Sequence, residues 1–145
     1  MDALIIAAGF GSRLRDISDS KPMTPVAGVP LLELGVRQAK AAGCKLAVLS
    51  NELDLFYGAS FRERLPLLQC FDVIIDATYT GILKPDRRAY EMCNQALGLQ
   101  GKDCVFVDDQ FRNVQGAIQV GWQVVQFDVT HPAESYQRAL MLLGL

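Results

Sequence analysis

Four residues beyond position 49 carry side chains that could bind phosphate together with a divalent cation. Ser50 offers a hydroxyl group, Lys84 an ammonium group, and Asp108 with Asp109 a pair of carboxylates. Carboxylate oxygens are the ligands that Mg²⁺ prefers, and lysine neutralises phosphate charge. These residues are candidate phosphate-handling positions, and Asp108 with Asp109 are the candidate metal ligands.

A glycine-rich segment near the start of the sequence is a second candidate anion-binding feature. Gly9 and Gly11 would let backbone amides approach an anion closely, and Ser12, Arg13 and Lys21 would add polar and cationic groups. Such a segment could hold a phosphate or a nucleotide. Taken alone, the glycines are equally compatible with a structural tight turn.

The polar groups follow short apolar runs, each of which predicts a β-strand. There are five such runs: Ala3 to Ala8, Leu46 to Leu49, Val73 to Ile75, Cys104 to Val107, and Val124 to Phe127. Helix-like segments separate them, which predicts an α/β fold whose parallel sheet is covered on both faces. The carboxyl ends of parallel strands share one edge, so we expect Ser50, Lys84 and the aspartate pair to converge there.

The helix predictions rest on apolar periodicity and on the residues that begin and end helices. One helix should begin near Pro85 and Asp86 and continue through Leu97. The others are Leu31 to Ala42, ended by Gly43; a weaker segment, Phe61 to Leu68, interrupted by Pro66; and a final helix after Pro132 through Leu140.

Composition limits the classes of protein and partner. The chain has 145 residues, 50% hydrophobic and 21% charged, with a formal net charge of -2. We expect one domain, residues 1–145. Near-neutral charge gives no reason to expect nucleic acid or an anionic membrane as a partner. With no leader pattern and no apolar run near ~20 residues, we expect a cytoplasmic location. Oligomeric state stays open.

The first part of the sequence resembles one enzyme family. From Leu4 to Gly43 it is similar to the sugar-phosphate nucleotidyltransferases, in a Gly-x-Gly-x-Arg-Leu loop, a following Lys-Pro, and a Pro-Val-x-Gly-x-Pro-Leu stretch. In that family the loop amides and the arginine hold a triphosphate, and the lysine contacts the reacting phosphate. The resemblance implies these roles for the following residues: Gly9, Gly11, Ser12, Arg13 and Lys21. The residues after Gly43 do not resemble that family's substrate-binding region.

From about residue 44 onward the sequence resembles a different family, the haloacid dehalogenase superfamily of phosphohydrolases. Ser50 matches its second motif, Lys84 its third, and Asp108 with Asp109 its fourth. The segment after the fourth motif also fits, at Asn113, Gly116, Ala117, Gly121 and Trp122. The resemblance implies a three-layer, Rossmann-like, five-stranded parallel sheet of order 5-4-1-2-3 with helices on both faces. The short stretch between the first two strands leaves no room for a cap domain.

The reaction of that superfamily starts from an aspartate at the end of strand one, with an acid/base aspartate two residues later. Those places fall near Ala7 and Gly9, whose side chains cannot attack phosphorus or move protons. Asp16, Asp19 and Asp54 could substitute, but their polar surroundings are typical of surface charges.

These resemblances predict a chimera, engineered or natural, that joins residues 1–43 of one family to residues 44–145 of the other. The leading interpretation of the chimera's function is a scaffold without efficient catalysis that retains weak binding of phosphate or magnesium-nucleotide. The first alternative is a phosphohydrolase that uses a non-standard carboxylate. The second is a nucleotidyltransferase. Mg²⁺ is the one cofactor that the residues suggest.

Overall fold

The computed structural model describes residues 2–7, 28–51, 53, 60, 63 and 66–145. Its five strands form one sheet with parallel pairing throughout. They are β1 (Ala3–Ala7), β2 (Lys45–Ser50), β3 (Val73–Asp76), β4 (Cys104–Asp108) and β5 (Gln123–Gln126). Each predicted strand is present, with ends that differ from the prediction by at most one residue.

The strand order is β3-β2-β1-β4-β5, which confirms the predicted order 5-4-1-2-3. β1 therefore lies in the middle of the sheet, between β2 and β4. In register, Ile6 lies beside Val107 of β4, and Ala7 lies beside Leu49 of β2. The last residue of β1 consequently lies close to the carboxyl ends of both neighbouring strands.

Helices cover both faces of the sheet, as a buried parallel sheet requires. The described helices are α1 (Gly28–Ala41), α2 (Ala77–Thr80), α3 (Arg87–Leu97), α4 (Phe111–Gln119) and α5 (Pro132–Leu142). Two short 3₁₀ turns, Pro66–Cys70 and Gly101–Asp103, precede β3 and β4. This arrangement confirms the three-layer α/β class, and no cap domain lies within the described ranges.

Two apolar layers hold the helices against the sheet, because alternate residues of a strand point to opposite faces. Leu4 and Ile6 of β1 pack in the layer that includes α1 and α5. Ile5 and Ala7 pack in the layer that includes α3 and α4. Burial of apolar surface on both faces, which contributes about 25 cal/mol of free energy per Å², stabilises the central strand in this position.

Three of the predicted helices correspond to described helices, namely α1, α3 and α5. α3 begins one residue after Asp86, whose side chain accepts a hydrogen bond from the Arg88 amide, and it ends at Gly98 with φ of 68°. Pro85 lies before this helix and not within its first turn. α4 was not predicted as a helix, although the resemblance to phosphohydrolases covers its residues.

Part of one helix prediction lies outside the described residues. The segment from Phe61 to Leu68 overlaps a described 3₁₀ turn only from Pro66 onward. Within the described part of the chain, none of the helices has the length and apolarity that crossing a bilayer requires.

Candidate functional site

Polar residues end three of the strands at the carboxyl edge of the sheet. Ser50 is the last residue of β2, Asp76 the last of β3, and Asp108 the last of β4. All three are buried, and Ser50 lies beside Asp76 in register. The prediction that Ser50 and Asp108 share this edge is therefore confirmed by the strand arrangement.

Lys84 and Asp108 form a buried ion pair. The Nζ atom of Lys84 lies 3.1 Å from Oδ2 of Asp108, and their side chains are 2% and 0% exposed. The same Oδ2 atom accepts a hydrogen bond from Nδ2 of Asn113 at 2.9 Å, and Oδ1 accepts one from the Gln110 amide at 2.8 Å. Both oxygens of Asp108 are thus already engaged by protein donors.

The buried position of Lys84 changes its acid–base behaviour. Burial lowers the pKa of Lys84, and the nearby Asp108 and Asp109 carboxylates oppose that shift. The ammonium group also lies 5.5 Å from the centre of the Phe106 ring, within the range of a cation–π contact. An ammonium group has three N–H donors, so its pairing with Asp108 leaves capacity for a phosphate oxygen.

Asp109 follows β4 directly and is half-buried, whereas Asp108 is fully buried. The negative charge of Asp109 raises the pKa of Lys84, so the two side chains interact electrostatically. Among the described residues, no group of three or more histidine, cysteine, aspartate or glutamate side chains is arranged to hold a metal ion. Mg²⁺ is commonly held by one or two carboxylates together with water and substrate phosphate. A single carboxylate at this edge would therefore be enough to hold Mg²⁺ when phosphate is bound.

The main chain of Lys84 is held by a residue from another loop. The Lys84 amide donates to Oδ1 of Asn51 at 2.8 Å, and Nδ2 of Asn51 donates to the Lys84 carbonyl at 3.2 Å. The peptide bond between Lys84 and Pro85 is cis. Asn51 follows Ser50 directly, so this contact joins the end of β2 to the loop before α3. No motif or spacing in the sequence predicts this role for Asn51.

Asp76 is a second residue at this edge that was not predicted from the sequence. It is 3% exposed, and its Oδ1 atom accepts hydrogen bonds from the amides of Leu53 at 3.2 Å and Thr78 at 3.0 Å. The sequence does contain a signal for Asp76, because this residue directly follows an apolar run just as Asp108 does. It holds the chain after β2 close to the start of α2.

α4 carries Asn113 into the site and packs tightly on α3. The hydroxyl of Tyr90 donates to the Asn113 carbonyl at 2.7 Å. A Cβ atom added at Gly116 would lie 2.7 Å from that hydroxyl and 2.9 Å from Cβ of Pro85. Only glycine allows this approach, and the packing supports the loop that carries Lys84.

Ala7 ends β1 where the resemblance to phosphohydrolases requires an aspartate. Its neighbour Ile6 lies beside Val107, so Ala7 lies level with Asp108 on the adjacent strand. Ala7 is 0% exposed, and its methyl group has no nucleophilic or proton-transfer chemistry. The described site therefore contains the lysine, the carboxylates and the hydroxyl, without a nucleophile at the end of strand one.

Several predicted site residues lie outside the described part of the chain. These are the candidate phosphate or nucleotide ligands Gly9, Gly11, Ser12, Arg13 and Lys21. The substitute carboxylates Asp16, Asp19 and Asp54 also lie there. Their roles stay predictions.

The combination of sheet order, lysine, paired aspartates and strand-end serine agrees with a family match. The sequence profile described as hydrolase, haloacid dehalogenase-like hydrolase, matches residues 27–121. The chain belongs to the haloacid dehalogenase-like hydrolase family. The match covers the segment that contains Ser50, Lys84, Asp108 and Asp109, and it begins at residue 27, within the segment that was predicted to come from the other family.

The chain is similar to known proteins over different lengths. The chain is 31% identical over 120 residues to phosphatase MT3486 of Mycobacterium tuberculosis, which spans 82% of this chain and 55% of the phosphatase. It is also 51% identical over 41 residues to a bifunctional IPC transferase and DIPP synthase of Rubrobacter xylanophilus, covering 28% of this chain and 9% of that protein. The chain thus spans about half the length of the phosphatase.

A solved structure matches the haloacid dehalogenase-like chain over its whole length. An uncharacterized protein from Corynebacterium glutamicum superposes with a TM-score of 0.78 at 25% identity, covering 100% of this chain and 96% of that one. A protein of nearly the same length therefore shares this fold.

Proposed function

We propose that the chain is a phosphohydrolase that binds a phosphate ester at the carboxyl edge of its sheet. The observation that carries this proposal is the buried Lys84–Asp108 pair, with Asn113 on the same carboxylate, beside the ends of β1 and β2. A lysine whose pKa is lowered by burial and opposed by two nearby carboxylates marks a candidate functional site, and its positive charge suits a phosphate. Membership of the hydrolase family supports the same reaction class.

Each described residue of the site has a distinct proposed role. Lys84 neutralises phosphate charge, and the Ser50 hydroxyl donates a hydrogen bond to a phosphate oxygen. Asp108 positions Lys84, because both of its carboxylate oxygens accept hydrogen bonds from protein groups. Asp109 would hold Mg²⁺, because it is the half-buried carboxylate of the pair. When bound, Mg²⁺ supplies further neutralisation of phosphate charge.

The attacking group in this proposal is water, because Ala7 cannot form a covalent intermediate. The water oxygen bonds to phosphorus, the ester oxygen leaves, and the water proton passes to a carboxylate. The leaving oxygen takes a proton from solvent. The proton acceptor would be a carboxylate outside the family's motifs, and Asp16, Asp19 and Asp54 are the candidates to test. This route lacks nucleophilic catalysis, so turnover should be slower than that of an enzyme with an aspartate at residue 7.

The test of these roles is hydrolysis of 4-nitrophenyl phosphate with and without Mg²⁺. Asp109→Asn should abolish the response to Mg²⁺, and one of Asp16→Asn, Asp19→Asn and Asp54→Asn should remove turnover while inorganic phosphate still binds. Glu33→Gln, on the exposed face of α1, is the matched control for loss of a carboxylate. Equal turnover in the three aspartate variants and wild type would contradict the assignment of the base.

A second candidate function is binding of phosphate or magnesium-nucleotide without turnover. The observation that favours it is Ala7, which leaves the centre of the site without an attacking side chain. Titration calorimetry with Mg²⁺ and nucleoside triphosphates would show heat with no hydrolysis. An absence of heat at millimolar ligand would eliminate this candidate.

We also propose that the amino-terminal segment derives from a nucleotidyltransferase. The glycine-rich motif with Arg13 and Lys21 is the sequence feature that supports this origin. Transfer activity would release pyrophosphate from a nucleoside triphosphate in the presence of a sugar or alcohol phosphate. If no pyrophosphate is released and no nucleotide binds, the segment has no nucleotidyltransferase function, and the proposal is limited to its sequence origin.

A further inference from the structure

Asn51 makes a paired contact with Lys84 that uses both functions of its amide group. Its Oδ1 atom accepts from the Lys84 amide at 2.8 Å, and its Nδ2 atom donates to the Lys84 carbonyl at 3.2 Å. The two residues are 33 positions apart in sequence. An asparagine side chain has the same donor and acceptor as a peptide group, so it can pair with one residue's main chain in both directions.

The main chain of Lys84 needs such a partner because of where it lies. Lys84 is 4% exposed and belongs to the loop between α2 and α3, outside any strand ladder or helix. Buried backbone N–H and C=O groups require hydrogen bonds, and an unsatisfied one costs roughly as much free energy as a lost hydrogen bond. Asn51 supplies both bonds and thereby fixes the direction in which the Lys84 side chain leaves the backbone.

The contact also fixes the spacing of two candidate phosphate ligands. Asn51 follows Ser50, the buried last residue of β2, so the amide joins the Ser50 segment directly to the Lys84 backbone. The other end of Lys84 is held by Asp108 at 3.1 Å. With its backbone and its ammonium group both held, Lys84 is restricted to one orientation relative to the Ser50 hydroxyl.

We propose that Asn51 is a positioning residue that acts through Lys84 and sets the distance between the ammonium group and the Ser50 hydroxyl for phosphate binding. The proposal rests on the proposed function of the site. Aspartate at this position could accept from the Lys84 amide but could not donate to its carbonyl. Alanine could do neither. Glutamine carries the same amide on a longer side chain and would not fit the same two partners.

The test combines phosphate binding with a direct observation of Lys84. Titration of inorganic phosphate in the presence of Mg²⁺ should show affinity reduced about tenfold in Asn51→Ala, the scale seen when an outer contact of a binding group is lost. Asn51→Asp should be intermediate if one bond is enough to hold the backbone. In a Lys84→Gln background, Asn51→Ala should cause no further loss, because the residue acts through Lys84.

Asn94→Ala is the matched control. Asn94 Oδ1 accepts from Nε1 of Trp122 at 3.0 Å, so the variant also loses a partly buried amide hydrogen bond, but away from the strand ends. Both variants should lower the melting temperature, and only Asn51→Ala should lower phosphate affinity. Equal phosphate affinity in wild type and Asn51→Ala, or equal losses in the Lys84 and Lys84→Gln backgrounds, would overturn the proposal.

Lysine side-chain NMR distinguishes failure of this proposal from failure of the proposed function. In Asn51→Ala, the side-chain resonances of Lys84, whose ammonium group lies 5.5 Å from the centre of the Phe106 ring, should shift as the group leaves that position, and in Asn94→Ala they should not. If wild type binds no phosphate but this shift occurs, the proposed function fails and the positioning role of Asn51 stands. If the Lys84 signal is unchanged in Asn51→Ala, the positioning role is refuted.

Discussion

Lys84 and Asp108 meet at 3.1 Å in the interior of the protein, with side chains that are 2% and 0% exposed. Lys84 comes from the loop before α3, and Asp108 ends β4 in the sheet. A charge in such a position is costly unless it is paired and hydrogen-bonded, so each residue requires the other. This relationship makes the site sensitive to small changes in charge.

Replacing Asp108 with asparagine should strongly destabilise the protein. The variant leaves the Lys84 ammonium group buried without its countercharge, a loss of about 3–5 kcal/mol. Urea unfolding measures the change in free energy. Glu33→Gln, which breaks an exposed pair with Arg37, should change it by less than about 0.5 kcal/mol. A loss below about 1 kcal/mol in Asp108→Asn would show that Lys84 does not depend on this carboxylate.

Two substitutions of helical glycine by alanine should have opposite effects. At Gly116 a Cβ atom would lie 2.7 Å from the Tyr90 hydroxyl and 2.9 Å from Pro85, so overpacking should cost about 1–3 kcal/mol. At Gly35 the nearest atom is 4.0 Å away, and alanine should stabilise α1 by about 0.5–1 kcal/mol. Thermal unfolding of the two variants compares them directly, and a stabilising Gly116→Ala would contradict the tight packing of α4 against α3.

Stability should fall in alkaline solution because of two buried thiols. Burial raises the pKa of Cys93 from 9.0 to about 12 and that of Cys104 from 9.0 to about 11. The unfolded thiols therefore ionise first, so their contribution is present below pH 9 and is lost as pH rises toward the folded values. Each thiol should lower the unfolding free energy by up to about 1.4 kcal/mol per pH unit in that range.

Urea unfolding from pH 8 to pH 11 measures this alkaline slope. Cys93→Ala should have a shallower slope than wild type, while groups common to both proteins cancel in the comparison. Identical slopes in the two proteins would mean that the Cys93 thiol is not protected from ionisation by burial.

Introducing an aspartate at residue 7 should create a site with a stronger response to magnesium. Ala7 lies level with Asp108 at the centre of the carboxyl edge, so a carboxylate there would lie near Asp108 and Lys84. Ala7→Asp should be destabilised without Mg²⁺ by repulsion between carboxylates. Millimolar Mg²⁺ should raise its melting temperature by several degrees, and wild type by less. Ala7→Asp with Gly9→Asp should also gain phosphatase activity.

Asn replaces the aspartate in the matched control for that experiment. Ala7→Asn has nearly the same shape without the charge, so its melting temperature should not respond to Mg²⁺ more than wild type does. A response of equal size in Ala7→Asn and Ala7→Asp would place the metal elsewhere.

The sheet and its edge could be predicted because the relevant signals are local. Each apolar run predicts a strand, and a polar residue after the run, such as Ser50 or Asp108, marks the strand end. Lys84 was predicted to lie at the same edge because it follows the third predicted strand, as the other polar groups follow theirs. Asp76 carried the same kind of signal as Asp108, and only the absence of a family motif left it unassigned.

The contacts within the site could not be predicted in the same way. The amide of Asn51 meets the backbone of Lys84 across 33 residues, and no periodicity or spacing encodes that pairing. The use of both Asp108 oxygens depends on Asn113, which reaches the site from α4. Such contacts are set by the packing of α3 and α4, and the helical character of α4 was itself missed.

Hydrolysis of 4-nitrophenyl phosphate in the presence of Mg²⁺ tests the central proposal most directly, with wild type compared with Lys84→Gln and Lys102→Gln. Lys102 is an exposed lysine in the turn before β4, so its variant controls for loss of a positive charge. We predict turnover in wild type and Lys102→Gln, and a loss of about 100-fold or more in Lys84→Gln. No turnover above buffer in wild type, or equal turnover in all three proteins, would contradict the assignment.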